Sequence, residues 1–317
     1  MNSITIFGIN FNINPVAFTI PLFGGWSVYW YGICIACGVF LALFYGMKNG
    51  KRFGIDPDDI FDSFVIVLPC SILSARAYYI IFDSTNSSSF KEFFDFSGKK
   101  GFQGLAIYGG VIGAVITIFI MQRIKKFSVL AALDITTVGF LIGQGIGRWG
   151  NFFNQEAYGT FTNSSWFGMT GGRIAAETGS NALVHPCFLY ESIWCIAGFF
   201  LLNHFSKKRL FKGQIALMYG IWYGFERTFL ELIRTDSLML GPIRISSLLS
   251  AVLCVSCTIA LVKLVPKYKN TEKYVPQFEQ AEEMNYEAAE DKNEQDLQND
   301  TAASKTSDEA GNLNEHN

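Results

Sequence analysis

Charge is scarce in this chain of 317 residues: Asp, Glu, Lys and Arg make up 16% of it, against about a quarter in soluble domains. With half of the residues hydrophobic, that scarcity excludes an ordinary soluble enzyme. The first 47 residues carry no charged side chain. A cleavable signal peptide needs a basic segment ahead of its apolar core, so the N-terminus is expected to be retained. Histidine is limited to His185, His204 and His316. His204 sits in a basic loop and His316 in a polar tail, which leaves His185 alone for chemistry elsewhere. No G-x-x-x-x-G-K-[ST], H-E-x-x-H or G-x-S-x-G occurs, so the sequence marks of a nucleotide loop, a zinc hydrolase and a serine hydrolase are absent. No metal, soluble cofactor or nucleic-acid partner is expected.

The seven cysteines include two C-x-x-C pairs, Cys34/Cys37 and Cys254/Cys257, but both lie inside apolar runs without the polar partners a thiolate-metal site requires. They read as small hydrophobic side chains.

What the chain does have is long apolar runs. Seven are close to the ~20 residues a bilayer demands, at about 26–47, 60–83, 103–122, 128–148, 187–205, 213–235 and 241–265. The fold class expected is an all-α integral membrane protein of about seven transmembrane helices, with a small extracytoplasmic lobe. Its domains are an interfacial segment over residues 1–25, a membrane domain over 26–267 that includes the lobe at about 149–186, and an acidic, disordered tail over 268–317. The net charge of −2 hides a split: residues 276–317 hold twelve acidic side chains against Lys292 and Lys305, leaving 23 basic and 15 acidic residues elsewhere. So polar a tail cannot bury enough surface to fold alone.

Lys and Arg cluster after the first, third, fifth and seventh runs: Lys48, Lys51 and Arg52; Arg123, Lys125 and Lys126; Lys207, Lys208, Arg209 and Lys212; Lys263, Lys267, Lys269 and Lys273. Basic residues stay on the cytoplasmic side of short loops. The N-terminus is therefore expected outside and the C-terminus inside.

Mapped onto this topology, the unusual polar residues fall on the outer side. Tyr31 begins the first span, Arg76 lies in the outer half of the second, and Tyr108 opens the third. Arg148 closes the fourth, His185, Tyr190 and Glu191 open the fifth, and Arg227, Glu231 and Arg234 stand at i, i+4 and i+7 on one face of the sixth. An Arg–Glu–Arg set can simply satisfy itself between helices. Four arginines at one depth against two or three carboxylates, however, leave a positive excess. Guanidinium suits phosphate, which at this depth means phospholipid. Asp62 and Asp134, near the inner ends, read as capping or packing residues. Tyr108-Gly109-Gly110 reads as a close-packing site rather than an anion-binding turn.

The stretch Gly147-Arg148-Trp149-Gly150-Asn151-Phe152-Phe153-Asn154-Gln155-Glu156, closing at Gly159, resembles the G-R-x-G-N-F-x-N-x-E-x-x-G signature of bacterial prolipoprotein diacylglyceryl transferases. Trp30-Tyr31-Gly32, Ala75-Arg76-Ala77-Tyr78-Tyr79, His185-Pro186 with Leu189-Tyr190-Glu191, and Arg227 to Arg234 resemble four further motifs, covering about residues 10 to 265. The resemblance implies a seven-span enzyme of the bacterial inner membrane. Its partners would be phosphatidylglycerol and a prolipoprotein signal peptide with a lipobox cysteine, joined as a thioether with release of glycerol 1-phosphate in the first step of lipoprotein maturation.

It also implies roles. Arg148, Arg227 and Arg234, with Arg76 second and His185 beside them, would bind the lipid headgroup; Tyr31, Asn151, Glu156, Glu231 and Tyr108 would serve catalysis. Many relatives have histidine where this chain has Tyr108, so the group that takes the thiol proton is open among Glu156, Glu231 and His185, with Tyr108 orienting substrate. A lipid transporter and an inactive lipid-binding relative are the rival readings. The first should show inverted repeats and charges running through to the inner face; neither is evident here. Deleting residues 276–317 is expected to leave activity at the outer face unchanged in membranes that hold normal amounts of the protein.

Overall fold

The structure, a computed structural model, describes residues 3–21, 25–82, 106–235, 239–240 and 243–269. Among them are seven long helices, α1 (Trp30–Phe53), α2 (Pro57–Phe82), α3 (Ile107–Lys125), α4 (Val129–Asn154), α6 (Cys187–Ser206), α7 (Gln214–Ile233) and α8 (Ile245–Lys269), with the short α5 (Gly172–Thr178) before α6. Each long helix falls on one expected span. Several boundaries move by four to six residues: α1 runs from Trp30 to Phe53 rather than 26–47, α3 begins at Ile107 rather than 103, α4 continues through Asn154 rather than ending at 148, and α8 covers Ile245–Lys269 rather than 241–265. By length and composition alone, α1, α2, α4, α6 and α8 can cross a membrane. The 20 residues of α7 include Glu226, Arg227 and Glu231, which lowers its hydropathy.

Helices are what these runs must form, because hydrocarbon offers no partner for an open backbone N–H or C=O. The side chains agree. Phe40, Phe44, Ile81, Phe140, Phe200 and Val262 are all more than half exposed, a surface that water would penalise and lipid would not.

Packing centres on α4, which touches α1, α6 and α7. Small residues set the close approaches. A Cβ on Gly38 of α1 would lie 2.9 Å from the Cα of Gly143, and Gly139 one turn away faces Ala42. Such small-residue seams let membrane helices meet closely where no hydrophobic drive acts between them. Gly109 sits against Ala75 and Ser74 of α2, so the glycine pair after Tyr108 serves helix packing. Gly220 and Gly224 of α7 admit Cys257 and Cys254 of α8, which use the second C-x-x-C pair as small side chains.

One end of the bundle is locked by polar contacts, among them those of a fully buried aspartate. Asp134, fully buried on α4, accepts hydrogen bonds from the backbone N–H of Gly213 (2.8 Å) and Ala216 (2.9 Å) and an ion pair from Arg209 (3.3 Å), capping α7 from a neighbouring helix. Arg209 also lies 4.6 Å from the Phe53 ring centroid and donates to the Arg52 carbonyl. The Tyr45 hydroxyl and Arg52 both donate to Asn203 Oδ1 at 2.9 Å. Asp62 and Asp59 hold Lys125.

The N-terminal segment expected at the interface is folded into strands. β1 (Ser3–Ile6) and β2 (Ile9–Asn12) form a hairpin, and β1 also pairs antiparallel with β5 (Met169–Gly171), giving the order β2-β1-β5. β3 (Val16–Ile20) and β4 (Trp26–Tyr29) form a second hairpin, and β6 (Met239–Leu240) with β7 (Ile243–Arg244) a third. Ile4, Met169, Ile174 and Val184 pack with Phe152 and Phe188 from α4 and α6. The lobe therefore includes the N-terminus, and its own core continues into the helices. α8 runs to Lys269, two residues into the segment assigned to the tail, and the rest of that tail lies outside the described residues.

Asp134→Ala removes the cap of α7 and leaves Arg209 buried without its counter-charge. A loss of about 3–5 kcal/mol is expected, read as a lowered midpoint of thermal unfolding in detergent, with a smaller loss for Asp134→Asn.

Candidate active site

The last turns of α4 carry Arg148, Asn151 and Asn154, and the helix stops at Gln155, whose φ of +52° is left-handed. This C-terminal turn folds the chain back: the N–H of Glu156 donates to the Asn151 carbonyl at 3.0 Å. The Glu156 carboxylate then accepts from the side-chain amides of Asn151 (3.0 Å) and Asn154 (3.2 Å), with Arg173 of α5 at 3.6 Å. Gln155 is buried and accepts the backbone N–H of Arg173 at 2.8 Å. Arg173 also pairs with Glu177 (2.8 Å), and that contact, followed by the Tyr158 hydroxyl, holds the Glu177 carboxyl below the usual carboxylate range. The latch it forms is present above the ordinary carboxylate value and fades as pH falls through the lowered one.

Gly159 closes the signature for a steric reason. A Cβ there would lie 2.9 Å from His185 Cβ and Cys187 Sγ and 3.0 Å from the Ile233 carbonyl oxygen. Its N–H donates to His185 O (2.9 Å) and that of Thr160 to Ile233 O (2.8 Å), so the chain leaving α4 passes between the start of α6 and the end of α7. Gly150, one helical turn before Asn154, leaves room for the Tyr31 ring. Tyr31 thereby comes within electrostatic range of Glu156 and Arg148.

The arginines converge on one buried carboxylate. Glu191, on α6 and 1% exposed, forms ion pairs with Arg148 of α4, with Arg234 at the end of α7 (3.1 Å) and with Arg227 (4.0 Å). Arg227 also reaches Glu231 at 2.8 Å, one turn along α7. Arg244, just before α8, donates to the backbone carbonyls of Glu231 and Arg234. The two carboxylates are almost fully buried, whereas the side chains of Arg148 and Arg227 keep 22% and 18% of their surface open. Three guanidiniums on two carboxylates give a positively charged group whose partly open side chains are those of Arg148 and Arg227.

Of the sequence-predicted residues, Arg148, Arg227, Arg234 and Glu231 form this group, and Tyr31, Asn151 and Glu156 form a second one sharing the end of α4. His185 lies at the start of α6 with Nδ1 3.0 Å from the Tyr190 hydroxyl, so its ring is engaged with Tyr190. Arg76 is on α2, which packs mainly on α3 and α1. Tyr108 is in the first turn of α3, with its side chain outside the described residues. An apolar cavity of about 260 Å³, lined by Leu43, Phe64, Ile118 and Phe140 among others, opens between α1, α2, α3 and α4 rather than at the arginines.

Three charged side chains at or beside this group were not among the site residues predicted from sequence. Glu191 was visible at the start of the fifth span but not as the hub. Arg244 could have been flagged as a cation on the side otherwise poor in them. Glu226, beside Arg227 in an apolar run, has its Oε1 buried with no hydrogen-bond partner among the described residues, as does Gln144 one turn before Arg148.

Comparison with known proteins adds sequence similarity to this geometry. Residues 15–263 match the family described as prolipoprotein diacylglyceryl transferase. The phosphatidylglycerol--prolipoprotein diacylglyceryl transferase of Clostridioides difficile (strain 630) is 40% identical over 259 residues, spanning 81% of this chain and 98% of the relative. The enzymes of that name from Limosilactobacillus reuteri (strain DSM 20016) and Finegoldia magna are 40% identical over 285 residues and 42% over 253, covering 97% and 96% of their lengths and 83% and 79% of this chain.

Glu191→Ala leaves three guanidiniums facing one another and is expected to destabilise the bundle by about 3 kcal/mol or more. Adding Arg234→Met should recover part of that loss, and a double-mutant cycle on unfolding midpoints in detergent measures the coupling.

Proposed function

The chain belongs to the prolipoprotein diacylglyceryl transferase family, and from that premise we propose that it moves the diacylglyceryl group of phosphatidylglycerol onto the lipobox cysteine of a prolipoprotein. The thiol sulfur attacks a glycerol carbon, the C–O bond to phosphate breaks with its electron pair, and a thioether and glycerol 1-phosphate result. The observation that carries this reading is the partly open positive group on Glu191 and Glu231.

The reaction piles charge onto the departing phosphate, and fixed cations in a dry site are the strongest help available for that. Arg148 and Arg227 have the partly open side chains and take the phosphate oxygens. Arg234 is nearly buried and works through Glu191, keeping the other two oriented. Glu231 positions Arg227, and His185 positions Tyr190 at the entry of α6. Arg76 is a secondary headgroup contact, because α2 packs chiefly on α3 and α1. Tyr31, Asn151 and Glu156, hydroxyl, amide and carboxylate beside the arginines, hold the polar backbone of the incoming peptide, and Tyr108 orients substrate from the start of α3.

The reading includes seven crossings of the cytoplasmic membrane, the lobe and N-terminus outside, and the C-terminus inside. Its support is the gathering of basic residues with the locked end of the bundle: Arg52, Lys125 and Arg209 lie together with the helix ends held by Asp59, Asp62 and Asp134. The outer end then holds the arginine group.

The purified protein, supplied with phosphatidylglycerol vesicles and a peptide carrying a lipobox cysteine, should add the mass of one diacylglyceryl group to the peptide; an unmodified peptide would sink the proposal. Arg148→Ala should cut turnover roughly 100-fold or more, the scale of losing one preorganised donor. Turnover close to that of the unaltered protein would remove Arg148 from the phosphate.

A further inference from the structure

The transfer has to dispose of a proton, since thiolate rather than thiol is the nucleophile. The candidates weighed from sequence are all engaged: Glu231 by Arg227, Glu156 by Asn151, Asn154 and Arg173, and His185 by Tyr190. Glu191 carries three arginines. Glu226 differs, because among the described residues it forms no ion pair and none donates to its Oε1, which is shut away from solvent.

Its placement fits the need. Glu226 directly precedes Arg227 on α7, so its carboxylate stands at the depth of the arginine group but about 100° around the helix. Arg148 of α4 and Glu191 and Cys195 of α6 lie within electrostatic range of it. From α7 itself come Arg227, Tyr219 and Tyr223, the two tyrosines stacked with ring centroids 5.8 Å apart at i−7 and i−3. α8 meets the Gly220 and Gly224 side of α7 with Cys257, Cys254 and Ser250. A carboxylate within electrostatic range of two stacked tyrosines, next in sequence to Arg227 and with an oxygen to which no described residue donates, is placed to receive a proton from what enters. Protonation has a second consequence: it removes one negative charge from the group just as an extra phosphate charge develops there.

We propose that Glu226 is a catalytic residue of this chain, the group that takes the proton of the attacking thiol. The inference rests on the transferase reading. As the S–C bond forms, the S–H proton passes to Glu226 and the C–O bond to phosphate breaks. The proton then leaves with glycerol 1-phosphate or to water, which returns Glu226 to its carboxylate form.

The test uses the full chain in phosphatidylglycerol vesicles with two lipobox peptides, one carrying cysteine and the other selenocysteine, whose selenol is already ionised near neutral pH. Transfer to neither peptide by the unaltered protein would sink the transferase reading itself, separately from Glu226. Given transfer, Glu226→Gln should lower kcat on the cysteine peptide by about 100-fold or more, the scale of general-base catalysis, with KM for the lipid unchanged. On the selenocysteine peptide the same variant should approach the unaltered protein. Near-normal kcat with cysteine, or an equal loss on both peptides by a variant that still binds the lipid, overturns the assignment. Should Glu226→Gln fail to fold, the unaltered protein decides: its kcat should fall toward acid with the cysteine peptide and stay level with the selenocysteine peptide. An acid limb common to both peptides overturns the proposal equally.

Discussion

The half of this molecule around the end of α4 depends on one carboxylate. Glu191 is the point where α4, α6 and α7 meet electrostatically: Arg148, Arg227 and Arg234 approach it from two other helices. Buried charge is costly unless it is paired and hydrogen-bonded, so each arginine is held in place by the need of the carboxylate as much as by its own. The converse also holds. Three cations cannot sit together in a low-dielectric site without an anion between them. With Arg244 counted, four guanidiniums stand against Glu191, Glu231 and Glu226: the negative charge is enough to hold the helices together and too little to neutralise the group, so the same arrangement both packs the bundle and suits an anionic headgroup.

The two ends of α4 show how differently one helix can use charge. Near its start, Asp134 is surrounded by donors that satisfy it, two backbone N–H groups of α7 and Arg209, and the contact is closed. Near its end, Arg148 is shared and part open. A permeation path would need openness at both levels; here the polar groups near the start of α4 are occupied in fastening helix ends. The rigid end and the Gly38–Gly143 crossing fix the direction in which α4 presents Arg148, and geometry held by secondary structure serves a site better than a free loop does.

The helices were legible because their signal is long and redundant: about twenty apolar residues in a row leave few alternatives. The position of Arg227, Glu231 and Arg234 on one face was equally legible, since it follows from spacing alone. The strands near the N-terminus were not, although I-T-I-F-G-I-N-F-N-I-N alternates with period two and Phe7 and Gly8 take positive φ in the tight turn. Against a background of apolar runs, that alternation is weak, and the partner of β1 lies more than 160 residues away at β5. Tertiary hubs are harder still. Nothing local distinguishes Glu191 from a helix-start glutamate, or Glu226 from a half of an ordinary Glu–Arg neighbour pair, because the property that matters in each is what the other helices bring to it.

The signature at the end of α4 shows why so many polar groups stand in a row. Arg148 serves the arginine group, and Asn151 and Asn154 hold Glu156. Gln155 turns the chain and takes the N–H that ties α5 to the bundle, and Gly159 lets it slip between α6 and α7. Each is satisfied, as polar groups at the edge of a bilayer must be, but only by bringing in a different element. The stretch is thus the junction between membrane and lobe. A substitution there acts on the arginine group and on the lobe together, since Tyr31 on Gly150 and Arg148 on Glu191 leave the same two turns of helix. The arginine group stands on α4 itself, and the lobe is fastened both to the end of that helix, through Gln155, and to α6 and α7, through Gly159 and Thr160.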